Sequence, residues 1–140
     1  MSRVLLWVFV SLLGITAEAA PPTEFTTDTS VVSVKYGGQW VAGRESGGYR
    51  IFLRNVGYEH PTYQVIAQWL EATFGSDSQV RVRWAATLVK ACLCAFDPPA
   101  IEQQADGLHV SLSGENQAGG VTKCEFVLGQ SGNIVRASKC

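Results

Sequence analysis

Four cysteines and two histidines are the residues of this chain with the widest chemical reach. Cys92, Cys94, Cys124 and Cys140 all fall in the second half, spaced C-x-C-x29-C-x15-C. Zinc ribbons present their thiolates as paired C-x2-C clusters, and redox enzymes usually carry C-x-x-C at the start of a helix. Neither pattern is present. An even number of cysteines in an exported domain reads as a disulfide framework. Alternate residues of an extended strand stand roughly 6–7 Å apart, near the upper limit of disulfide reach. The expected pairing is therefore long-range, with Cys94–Cys124 nested inside Cys92–Cys140, an order that suits antiparallel strands.

His60 lies in Tyr58-Glu59-His60-Pro61. A glutamate beside a histidine can serve general acid–base chemistry, so Glu59 and His60 are the pair to examine for a small hydrolase. Adjacent residues on an extended chain point apart, however, and no third partner is supplied. The bland reading is a turn or cap before Pro61. His109 sits in Leu-His-Val-Ser-Leu-Ser, opposite Leu108, Val110 and Leu112, as a solvated strand residue would. There is no HExxH, no G-x-S-x-G and no G-x-G-x-x-G. No assembled catalytic set, metal or cofactor is expected.

Tyr36, Trp40 and Tyr49 cluster around glycine-rich segments in the first third of the chain. Aromatics exposed beside loops can form a binding edge, and these three are the candidate binding residues. The alternative is that they cap a small core.

Short strands must position these groups. Val31–Tyr36, Gln39–Ala42 and Tyr49–Arg54 are divided by Gly37-Gly38 and by the Gly43–Gly48 segment, which suggests an antiparallel meander. Gln79–Trp84 alternates cleanly, with Val80, Val82 and Trp84 on one side and two arginines on the other. Ala85–Phe96 continues it as an apolar run expected to be buried, and Asp97-Pro98-Pro99 stops it. A short helix is expected at Ala100–Gln104, then a strand at Leu108–Ser113. Val121–Leu128 and Asn133–Ala137 flank Gly129-Gln130-Ser131-Gly132, a hairpin signature that would bring Cys140 diagonally near Cys124. Residues 61–74 satisfy two templates. Pro61 and Gly75 punctuate them as a helix. Tyr63, Val65, Ala67 and Trp69 alternate as in a strand, but Ile66 and Leu70 break the polar face.

The expected fold is a single, mainly antiparallel β-rich domain: a meander, sandwich or small barrel with at most one or two short helices and a disulfide-stapled C-terminal half. Residues 1–19 read as a signal peptide, with Arg3, the apolar run Val4–Leu13, and Ala17-Glu18-Ala19 before the cleavage point. The apolar run is too short to span a bilayer. Residues 20–30 read as a flexible leader, and residues 31–140 as the domain. A net charge of −1 and a charged content of only 16% give no electrostatic footprint for nucleic acid. No later segment is apolar and long enough to cross a membrane.

These features point to a small non-enzymatic binding protein of the bacterial envelope. It would be periplasmic or released to the medium, and would act as an inhibitor, an immunity protein or an accessory subunit on another exported protein. The rival readings are the Glu59/His60 hydrolase and a carrier of an apolar ligand inside a β-barrel.

Overall fold

The computed structural model describes residues 29–71 and 80–140. The stretch read as a signal peptide, the expected leader up to residue 28 and the end of the ambiguous 61–74 stretch lie outside them. The described residues form nine strands and no helix: β1 Val31–Ala42, β2 Glu45–Asn55, β3 Tyr63–Glu71, β4 Arg81–Cys92, β5 Cys94–Phe96, β6 Ala100–Gln104, β7 Gly107–Asn116, β8 Val121–Leu128 and β9 Ile134–Ala137. Two antiparallel sheets result. The first runs β1-β2-β3-β4; the second runs β5-β7-β8-β9, with β6 also paired to β7. Each sheet keeps open edges, so the molecule is not a closed barrel and the barrel-carrier reading falls.

Strand alternation supplies one inner face to each sheet. Trp40, Tyr49, Ile51, Leu53, Val65, Ala67 and Trp69 from the first meet Leu108, Val110, Leu112, Phe126 and Leu128 from the second, forming one core. Tyr63–Glu71 is a strand, not a helix. Its alternate residues Val65, Ala67 and Trp69 are all fully buried, whereas Gln64, Ile66 and Gln68 face outward. Ala100–Gln104, expected as a helix, is strand β6, paired residue for residue with β7.

The glycine pairs read as turns lie within strands. β1 runs through Gly37-Gly38 and β2 through Gly47-Gly48. Gly47 pairs with Trp40, and a Cβ there would run into the Leu70 carbonyl oxygen and crowd the Trp40 indole. The glycine makes room for a tryptophan, so the only turn between these strands is at Gly43-Arg44.

Ala85–Phe96 is not a continuous buried run. β4 is an edge strand, and Ala85, Thr87, Lys90 and Ala91 are exposed. Its register against β3 shifts three times. Such bulges increase local twist and blunt an edge against further pairing.

The disulfides also differ from expectation. The bonds are Cys92–Cys94 and Cys124–Cys140. The chain bends at Leu93, where it leaves the first sheet for the second, and this draws the Cα atoms of Cys92 and Cys94 to 5.1 Å. The extended spacing that argued against this bond does not apply at a corner. Cys124–Cys140 realises the diagonal proximity expected of the last hairpin.

Candidate binding face

The three aromatic candidates do not share one surface. Trp40 is 0% exposed and Tyr49 1%, so both are core residues; Tyr36 is 64% exposed. The Trp40 indole N–H donates to the carbonyls of Gly48 at 3.0 Å and Leu70 at 3.1 Å, and its ring packs edge-on against Trp84. The Tyr49 hydroxyl donates to the Gly129 carbonyl. Its pKa is raised because burial disfavours the phenolate, an effect opposed by a hydrogen bond with Trp69.

Tyr36 belongs instead to the outer face of the first sheet. The register places Tyr36 beside Arg50 and Arg50 beside Gln68; the next row is Val34, Phe52, Ile66 and Thr87. Val34, Phe52 and Ile66 are half-buried. Arg50 is held tightly. Its guanidinium carbon lies 4.7 Å from the Phe52 ring centroid and 5.8 Å from that of Tyr36, in the range of cation–π attraction. Its Nε–H and Nη2–H both donate to Gln68 Oε1, at 2.9 and 2.6 Å. Aromatic and arginine side chains are the types enriched where binding energy concentrates in protein interfaces. Sequence reasoning found Tyr36 but passed over Arg50 and Phe52. The available signal was the apolar residue on the polar side of Tyr49–Arg54.

The outer face of the second sheet is polar. His109 crosses from Glu102 on β6 to Val127 on β8, and Ser111 crosses from Ala100 to Glu125. A shallow concavity of about 510 Å³ lies over Glu102, His109, Ser111 and Glu125. His109 Nε2 stands 2.6 Å from Asp106 Oδ1, and this hydrogen bond is the main reason that the Asp106 carboxyl is held below its ordinary pKa. A carboxylate-held imidazole can accept a proton. Among the described residues, no serine or cysteine is hydrogen-bonded to the ring, so no activated nucleophile is assembled there.

Glu59 and His60 are both exposed, in the loop between β2 and β3. The loop is organised by backbone contacts: Asn55 Oδ1 accepts from the Gly57 and Thr62 amides, and Val56 N donates to the Thr62 carbonyl. The structure brings no further titratable partner to this pair among the described residues. No group of three metal-ligating side chains converges among those residues either. No described helix is long and apolar enough to cross a membrane.

No protein-family model matches the chain, and neither a curated protein nor a solved structure matches it.

Proposed function

We propose that this is an exported binding protein of the bacterial envelope, which docks another exported protein on the outer face of its first sheet. The observation that carries the reading is the Tyr36–Arg50–Phe52 cluster, fixed by Gln68 and continued by Val34 and Ile66. Rigid side chains of this kind lose little conformational freedom on binding, which favours affinity. The two disulfides are compatible with an exported protein, and the sequence of residues 1–19 has the pattern of a secretory signal. Inhibitor, immunity protein and accessory subunit are the roles that such a scaffold fits.

The test is comparative capture from the native envelope with the wild-type protein and a Tyr36→Ala/Phe52→Ala variant. The expected result is one protein retained by the wild type and lost from the variant, with the variant still folded by circular dichroism. Equal recovery by both forms would remove the outer face from the interface.

A further inference from the structure

We infer that Arg50 is a receptor for a carboxylate of the docked protein, so that the partner presents an aspartate or glutamate flanked by apolar side chains. This rests on the outer face being the docking face.

Three observations carry it. The first is preorganisation: the guanidinium is held by the Phe52 and Tyr36 rings, and its Nε–Nη2 edge is occupied by Gln68. The second is unused capacity. Arginine has five N–H donors in a fixed fork, and Nη1 has no hydrogen-bond partner among the described residues. The remaining edge has the geometry that accepts a carboxylate through two parallel bonds. The third is charge. Among the described residues, the outward strand positions around Arg50 carry Gln64 and Gln68 and no carboxylate. Glu45 and Glu71 fall in the inward-facing register, opposite Ala42 and Gly47. A face centred on the Arg50 guanidinium, with no carboxylate at its described outward strand positions and apolar flanks at Val34, Phe52 and Ile66, complements an acidic side chain set among apolar ones.

The test is selection of displayed random linear peptides on the whole exported protein, followed by polarisation titrations of the enriched peptides. The expected result is enrichment of an Asp or Glu between apolar residues. Binding should weaken by about tenfold or more in Arg50→Gln. Arg50→Lys should also weaken it, because an ammonium keeps the charge but not the planar fork. Gln68→Ala, which leaves Arg50 in place, guards against loss of fold in the arginine variants and should weaken binding less. Enriched peptides without acids, or unchanged affinity in Arg50→Gln, would overturn the carboxylate site. If those same peptides are lost in Phe52→Ala, the docking face survives that failure. If neither variant affects them, the docking face fails as well. Vesicles of phosphatidylcholine with phosphatidylglycerol serve as the competing anion source; Arg50-dependent binding to them, with no acidic peptide enriched, would overturn the protein carboxylate in favour of a lipid phosphate.

Discussion

Trp69 and Tyr49 share a single acceptor. The Trp69 indole N–H donates to the Gly129 carbonyl at 2.7 Å, and the Tyr49 hydroxyl donates to the same oxygen at 3.3 Å. Two side chains of the first sheet thereby grip the turn that joins β8 to β9 in the second. The rings of these two residues also pack against each other, with centroids 5.8 Å apart.

The shared acceptor makes the two substitutions interdependent. Trp69→Phe should cost about 1–2 kcal/mol, and Tyr49→Phe less, since either donor still satisfies the buried carbonyl when the other is gone. The double variant leaves that carbonyl unsatisfied, so its cost should exceed the sum of the singles. Urea unfolding of all four forms checks this; additive costs would show that Gly129 does not depend on the pair.

Gly132 is the second contact of that turn. It adopts a φ of 76°, and a Cβ there would run into the Trp84 ring. Gly132→Ala should therefore destabilise by about 1–3 kcal/mol through combined backbone strain and collision. Gly119, with φ of 77° and open space around it, isolates the backbone part. Gly119→Ala should cost less in the same melts, and an equal cost would argue against the Trp84 contact.

The two disulfides should differ in weight. Cys124–Cys140 closes a loop of sequence separation 16, for which the chain-entropy relation gives about 3 kcal/mol. Cys92–Cys94 spans a separation of only 2, for which the same relation gives about 1.2 kcal/mol. Cys124→Ser/Cys140→Ser should accordingly lower the denaturant midpoint more than Cys92→Ser/Cys94→Ser. Peptide mapping without reduction reports the pairing itself. A peptide joining Cys94 to Cys124 would contradict it.

The Asp106–His109 contact makes a pH prediction. Its hydrogen bond to His109 holds the Asp106 pKa below the ordinary 3.8, with a smaller contribution from the positive charge of Arg136. A depressed carboxylate pKa stabilises the folded form above the unfolded value, and that stabilisation is lost as pH falls through the folded value. The β6–β7 turn should thus hold its geometry down to about pH 4 and loosen below it. An NMR titration of the Asp106 carboxyl should show its midpoint rise towards 3.8 in His109→Ala. An unchanged midpoint would remove His109 as the cause.

Much of the fold is legible in the residues. The alternation of Leu108, Val110 and Leu112, and the glycine-bounded turn between β8 and β9, correspond to observed strands and an observed hairpin. Ambiguity arose where a strand is apolar on both sides. Ile66 breaks the alternation of β3 because it belongs to the outer face, beside Phe52. The same departure that hid the strand marks the candidate site. Trp40 and Tyr49 looked exposed because neighbouring glycines read as loops, whereas Gly47 provides the space that lets Trp40 be buried within paired strands. The Cys92–Cys94 bond was illegible because it depends on the bend at Leu93, set by the passage between sheets and not by any local turn residue. Arg50 is hard to read from the sequence because two of its three contacts, with Tyr36 and Gln68, cross to neighbouring strands and exist only through the register, while the third is with Phe52 two residues along its own strand.

Docking through the outer face of the first sheet is tested most directly by site-specific photo-crosslinking in the native envelope. A photoreactive side chain is placed in turn at Tyr36, at Val34 and, on the exposed outer face of the second sheet, at Lys123. The expected result is one discrete cross-linked protein from positions 36 and 34 and none from 123, with the product lost when Arg50→Gln is combined with the probe at 36. No cross-link from the first sheet, or the same product from Lys123 alone, would contradict the proposed docking face.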